Sequence, residues 1–220
     1  PAGGGLTLAE LHRLEWREQA QDFSVLTVDA PSQARALRQP SRPIDPASPG
    51  IDRLITHLER TARQHGGLGI AAVQIGIPVR LALLRRAGAE HFQAFANPAI
   101  TAYSENHLAS WENCLSVPWG YRYTERAAQI TVSHQSKTGA TLIETLKGEE
   151  AVVFQQEIDH LDGHLLDEEY GKEWFIPAAE MDTFARDIWR QCQKLEPAQC
   201  DELMRTRWEA HRAGQASTPQ

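Results

Sequence analysis

No stretch of the sequence approaches the roughly 18 to 20 consecutive apolar residues that cross a bilayer. The opening Pro-Ala-Gly-Gly-Gly-Leu has neither a basic n-region nor an apolar h-region. A soluble, non-secreted protein of the cytoplasm, with no membrane partner, is therefore expected. Cysteine is scarce: three in 220 residues make no disulfide framework, and the odd number suits a reducing compartment that keeps at least one thiol for chemistry. Cys192 and Cys200 stand close enough to pair across a helical turn. Basic residues are outnumbered, with 22 Lys and Arg against 29 Asp and Glu, a net charge of −7 and no basic stripe interleaved with aromatics. That balance argues against nucleic acid as a direct partner. Internal repeats and low-complexity tracts are also missing.

What is present suffices for one sizeable core, since 41% of the residues are hydrophobic and 23% charged. The most informative stretch runs Val152-Val153-Phe154-Gln155-Gln156-Glu157-Ile158-Asp159-His160-Leu161-Asp162-Gly163. Val152, Val153, Ile158 and Leu161 recur near the 3.6-residue period and Gly163 follows as a C-cap, so a buried helix is expected. Gln156 and His160, four apart, share one helical face, with Glu157 beside them. This is the H-E-x-x-H pattern of zinc hydrolases with Gln in place of its first His. Read alone, a Glu and a His beside an apolar run are more often a solvated face and a core imidazole than a metal site.

Leu8, Leu11 and Leu14 suggest a short N-terminal helix, Phe23 to Val28 a β-prone stretch, and the Pro-rich run from Asp29 to Gly50 an irregular crossing loop. Ser48-Pro49-Gly50 offers an N-cap and a first-turn Pro, after which Ile51, Leu54, Ile55, Leu58 and Ala62 mark an amphipathic helix to about His65. Its exit, Gly66 to Gln74, is rich in Gly and Ala and permits close approach of backbone to backbone or to a ligand; the plainer reading is a helix C-cap and a tight turn. No Lys-Ser/Thr follows, so a phosphate loop is disfavoured. Strands are expected at Val79–Leu84, Gln93–Ala96, Ala128–Ser133 and Ala140–Glu144, the last two forming a hairpin across Ser136-Lys137-Thr138-Gly139. Between the pairs lies Ser110 to Pro118, whose Cys114 is either a small buried apolar residue or a thiolate ligand. Met181, Phe184, Ile188, Cys192 and Leu195 mark a helix after Pro177, and Leu203, Met204 and Trp208 a last one after Pro197. Their apolar stripes need cover, from the body of the domain or, alternatively, from a second copy of the chain.

Three segments together, Gly67-Leu68-Gly69-Ile70-Ala71-Ala72-Val73-Gln74, Glu112-Asn113-Cys114-Leu115-Ser116 and Gln155 to Gly163, resemble the motifs of the peptide deformylases in order and in spacing. The resemblance covers about Val25 to Glu169. It implies an α+β fold in which antiparallel strands wrap the motif-bearing helix, here with a helical C-terminal extension. It divides the chain into an N-terminal arm (1–22), a catalytic domain (23–170) and that extension (171–220). The implied reaction is hydrolysis of the formyl group from formylated peptide N-termini, a step in the maturation of newly translated proteins. The implied cofactor is a divalent metal, Fe(II) or Zn(II), held by one Cys and two His. Carried onto this chain, the ligands are Cys114, His160 and, where the family has its other His, Gln156. The acid/base is Glu157, the formyl oxygen is polarised by the Gln74 side chain and the Leu115 backbone N–H, and Gly67, Leu68 and Gly69 line the peptide.

Three departures stand out. Asn113 replaces a usual Gly, which Asn's ease in the left-handed region would allow, and Val73 replaces a frequent Pro. Gln156 replaces a ligand, and its neutral amide oxygen should bind Fe(II) or Zn(II) less well than imidazole. His134 and His164 are the nearby imidazoles that could stand in. A module that holds peptide N-termini or a protein partner, or an amide hydrolase with an altered substrate, is the competing reading.

Overall fold

The computed structural model describes residues 4–168, 175–192 and 195–216. The chain falls into two compact units, one made of Pro1–Asn106 and Ala127–Leu165, the other of His107–Arg126 and Leu166–Gln220. The sequence-expected boundary between 170 and 171 lies outside the described residues.

The first unit opens with α1 (Leu8–Gln19), started by a capping box. The Thr7 Oγ1 accepts from the Glu10 N–H at 3.2 Å, and the Glu10 carboxylate accepts from the Thr7 N–H at 2.7 Å. Of the expected leucine stripe, Leu14 is buried and Leu8 is exposed. The β-prone Phe23–Val28 forms no strand. Isolated partners take its backbone groups instead: Arg17 donates to the Ser24 carbonyl, Gln33 accepts from the Thr27 N–H, and the Gln74 carbonyl accepts from the Leu26 N–H. Within the expected loop, Pro31 opens a short helix, α2 (Pro31–Leu37), from the first helical position, where its missing N–H costs nothing. Helix α3 (Ile51–Gln64) begins as anticipated, but its N-cap is Gly50 at φ +87° and not Ser48. A Cβ at Gly50 would meet Leu11 Cδ2 at 2.3 Å, so sterics and backbone conformation select the same residue.

Five strands follow in this unit: β1 (Gly69–Ala71), β2 (Leu81–Arg85), β3 (Phe92–Tyr103), β6 (Gln129–Gln135) and β7 (Thr141–Lys147), paired antiparallel in the order β1-β2-β3-β6-β7. Strand β3 is much longer than Gln93–Ala96, because the ladder continues past Asn97-Pro98 by shifting register there. Asn97 takes φ +50°, and its side chain accepts from the Ile44 N–H and donates to the Ile44 carbonyl at 2.8 and 2.7 Å. Alternation along β1 and β2 divides the core. Ile70, Leu81 and Leu83 face one way, packing with Leu14, Leu54 and Leu58. Ala71, Ala82 and Leu84 face the other, packing with Phe154, Ile158 and Leu161 of α4 (Glu149–Asp162). The motif-bearing helix is therefore backed by the antiparallel sheet, as the α+β reading required.

In the second unit, β4 (His107–Cys114) and β5 (Val117–Ala127) form a two-stranded sheet whose two-residue connection is possible only for antiparallel partners. Helices α5 (Ala178–Cys192) and α6 (Pro197–Ala216) complete it. Met181 and Phe184 of α5 pack with Trp208 of α6 and with Trp111, Tyr121 and Tyr123 of the strands, so the expected stripe covers this unit's own core. Cys192 and Cys200 are joined in a disulfide between the two helices. No helix is long and apolar enough to cross a membrane among the described residues.

Candidate active site

Helix α4 is fixed at three points before any chemistry is considered. Gly163 ends it at φ +88°, where a Cβ would lie 2.7 Å from the Arg38 carbonyl, so only Gly both turns the chain and clears that backbone. Arg80 pairs with Asp162 at 2.5 Å near the same end. In the middle, the buried Gln155 donates to the Ala127 and Ala151 carbonyls, both at 2.9 Å, and accepts from the Ala127 N–H at 3.2 Å. This anchoring role was not foreseen. A polar residue at a buried position of an apolar helix is the signal that could have found it, because such an amide must be satisfied from within.

On this fixed helix, Glu157 and His160 are buried, at 3% and 0% exposure, while Gln156 is half-buried. Burying two ionisable groups three residues apart on one helix is costly unless each finds polar partners. The Gly-rich segment explains how the carboxylate is seated. A Cβ on Gly69 would stand 2.4 Å from Glu157 Oε1, 2.9 Å from its Cδ and 2.8 Å from Val153 Cγ1. The space that any other residue would fill at position 69 is occupied by the acid/base candidate. The structure therefore brings together Gly69 and Glu157, two residues singled out for separate roles, and the close approach is of backbone to side chain.

Gln74 lies on the 3₁₀ turn Ala72–Ile75 directly after β1 and is 2% exposed. Its Oε1 accepts from the Ala71 N–H at 2.8 Å, and its backbone carbonyl accepts from the Leu26 N–H at 2.7 Å. With the oxygen so used, the amide nitrogen is the end turned away from that backbone, and it can only donate. Gly67 and Leu68 connect the end of α3 to β1, and the Leu68 carbonyl accepts from the Arg85 N–H at 2.8 Å, extending the β1–β2 pairing by one residue.

In the second unit, Cys114 ends β4 as a buried cysteine outside any disulfide, and Leu115 and Ser116 make the turn into β5. Strand alternation puts Glu112 and Cys114 on one buried face and the exposed Asn113 on the other. Asn113 is not in the left-handed region; among described non-glycine residues only Gln21 and Asn97 are. Asn is tolerated there because an exposed, extended position accepts most side chains, which corrects the conformational reason expected from the sequence. Glu112 is held by Arg126, from Nε at 2.5 Å and Nη2 at 3.0 Å, and by the Thr124 hydroxyl at 2.7 Å. This bidentate pair of a half-buried Arg with a buried carboxylate ties β5 to β4 two residues before the thiol.

Neither spare imidazole offers a simple substitute for the missing His. His134 is buried on β6, gives Nε2 to Glu144 at 2.9 Å and packs on Phe95. His164 is exposed, beyond the Gly163 cap. Among the described residues, no group of three or more His, Cys, Asp and Glu is placed to hold a metal ion.

With the geometry established, comparison with known proteins is informative. The polypeptide deformylase family model matches residues 24–173. The peptide deformylase of Caulobacter vibrioides is 35% identical over 144 residues, covering 64% of this chain and 83% of that protein. That of Rhizobium meliloti is 38% identical over 132 residues, covering 59% and 76%. The crystal structure of the peptide deformylase from Thermotoga maritima superposes with a TM-score of 0.59 at 29% identity, covering 67% of this chain and 96% of that one. A class I type b enzyme from Acinetobacter baumannii, solved with Met-Ala-Ser bound, superposes with a TM-score of 0.58 at 26% identity, covering 66% and 97%.

Proposed function

The chain belongs to the polypeptide deformylase family, a family of metallo-hydrolases, and from that premise we propose that it hydrolyses the formyl group of formylated peptide N-termini in the cytoplasm, releasing formate and a free amine. The observation that carries this reading is the seating of the buried Glu157 carboxylate against Gly69, where a Cβ would stand 2.9 Å from its Cδ. Glu157 accepts a proton from the attacking water and delivers it to the departing amine nitrogen. Positioned proton transfer of this kind contributes about 10²- to 10⁴-fold. The Gln74 Nε2 and the Leu115 N–H donate to the formyl oxygen as it gains charge, each worth about 2.7 to 4 kcal/mol. Gly67, Leu68 and Gly69 offer the backbone along which the peptide lies, and the Met-Ala-Ser held by the Acinetobacter baumannii relative supports a Met-led peptide as ligand.

The donor chemistry fits a divalent ion through two strong ligands and one weak one. Cys114 is a buried thiol, His160 a buried imidazole, and Gln156 stands one helical turn before His160 with a neutral amide. These are the residues that would hold Fe(II) or Zn(II), and when bound such an ion supplies Lewis acidity toward water. Because loss even of a group that merely orients a ligand costs about 10- to 100-fold in affinity, Gln156 sets a weaker hold than a third imidazole would. That same residue favours a second reading, a deformylase-fold module that holds peptide N-termini without turnover. Two copies of the chain would meet through the C-terminal helices, where Leu195 is 38% exposed beside Leu203.

Formate release from formyl-Met-Ala-Ser by the metal-loaded protein, alongside its Glu157→Gln variant, tests the proposal. Turnover that falls at least about 100-fold in the variant is expected. Absence of turnover at full metal loading would leave the holding module.

A further inference from the structure

A cavity of about 570 Å³ opens in the first unit, and Leu68 and Val153 form part of its wall. Both touch the catalytic arrangement: Leu68 precedes Gly69, and Val153 Cγ1 lies beside the same glycine as Glu157. The rest of the wall comes from the end of β2 and the turn after it, the end of β7 and the start of α4, and includes Arg85, Arg86, Lys147 and Glu150.

These charges are not equivalent. Arg86 is consumed internally, with Nε on Glu150 and Nη1 on Glu144, both at 2.9 Å. Glu150 also accepts from the Ala87 N–H at 2.9 Å. This network ties the turn after β2 to the start of α4. Arg85 and Lys147, by contrast, are exposed, line the same cavity and have no ion-pair partner among the described residues. The one opposing charge not already bound is Glu149 on the rim. In a chain of net charge −7, two uncommitted cations meeting over one cavity are against the overall balance.

We propose that this cavity is a specificity subsite for an acidic side chain of the peptide, with Arg85 and Lys147 as its recognition residues. The inference rests on the deformylation reading only for where the peptide's N-terminus lies. With the reacting end at Glu157 and Gly69, and an extended chain advancing about 3.3 Å per residue, the wall at Leu68 and Val153 is within reach of the second and third side chains. A carboxylate there meets Arg85 and Lys147; a Lys side chain meets them with like charge.

The test uses three peptides, formyl-Met-Glu-Glu-Ala, formyl-Met-Ala-Ala-Ala and formyl-Met-Lys-Lys-Ala, with affinity read by titration calorimetry at low salt and formate release followed separately. The wild-type protein should bind the Glu peptide about fivefold tighter than the Ala peptide and the Lys peptide weakest, and the spread should shrink as salt rises. The double variant Arg85→Ala, Lys147→Ala should bind all three alike, and Arg85→Glu, Lys147→Glu should invert the order. Equal affinities in the wild-type protein, or a preference that survives both variants, overturn the subsite even if every peptide is deformylated. A Glu preference without formate release keeps the subsite and removes the deformylation reading. No binding of any peptide removes both.

Discussion

Replacing Gly69 by Ala asks directly whether the Gly-rich segment exists to seat Glu157. The backbone at this position is not left-handed, so the perturbation is purely the added methyl. Its carbon would stand 2.4 Å from Glu157 Oε1 and 2.8 Å from Val153 Cγ1. Ordinary contact begins near 3.4 Å, so the carboxylate must move by roughly 1 Å, and a displacement of that size at a reacting group can cost about 100-fold in rate. Glu157 is 3% exposed and has little room to yield. Overpacking of this kind costs about 1 to 3 kcal/mol, which lowers Tm by roughly 2 to 4 °C per kcal/mol in a chain of this length. The variant therefore stays folded at 25 °C while losing about 100-fold in formyl-peptide kcat. Gly214→Ala, where nothing lies within 4 Å of the added carbon, is the control: kcat should stay parental, and Tm should hold or rise slightly because Ala favours the helix over Gly by about 1 kcal/mol. A Gly69→Ala protein with a lowered Tm but parental kcat would show that the position of Glu157 against Gly69 has no bearing on turnover.

Two further outcomes concern the supports of the fold. Burial and the neighbouring Arg17 guanidinium lower the His57 pKa from its ordinary 6.5, and Arg17 Nε donates to His57 Nε2 at 3.4 Å, which a neutral ring can accept. The unfolded chain then binds the proton more readily, so this contribution to stability is complete above pH 6.5 and is lost as the pH falls below it. Melts from pH 8 to pH 5 should show a falling Tm, and His57→Gln should flatten that slope; an unchanged slope in the variant would assign it elsewhere. Arg126→Met removes the partner of the buried Glu112 and should cost about 3 to 5 kcal/mol in denaturant unfolding. A loss under about 1 kcal/mol would mean that Glu112 finds water.

Much of the first unit was legible because its burial is periodic. Ile51, Leu54, Leu58 and Ala62 marked α3, and Gly163 marked the end of α4. The strands β6 and β7 announced themselves by alternation on either side of a Ser-Lys-Thr-Gly turn. Elements were missed where polar groups, not apolar period, decide the structure. The β4–β5 hairpin is buried through Glu112 and Arg126, a charge pair that reads in sequence as a solvated face. The continuation of β3 past Pro98 depends on Asn97 bonding to Ile44, more than 50 residues away, and no local pattern encodes that. Phe23–Val28 has β-prone residues, but its backbone groups are taken one by one by Arg17, Gln33 and the Gln74 carbonyl and not by a strand. The site motifs were readable as types and spacings; that Gly69 is paired with Glu157 by sterics was not, because a glycine's neighbour is invisible until the fold supplies it.

The central claim, that a deformylase site here is limited by one weak ligand, is tested most directly by measuring bound metal and formyl-peptide turnover together in the wild-type protein and in Gln156→His. The substitution supplies the imidazole that the helix lacks beside His160, at the same i, i+4 position. Affinity for Fe(II) or Zn(II), read by competition with a chelator, should rise at least about 10-fold, and turnover should rise in proportion to occupancy. A Gln156→His protein that takes up a full equivalent of metal and still releases no formate would contradict the account.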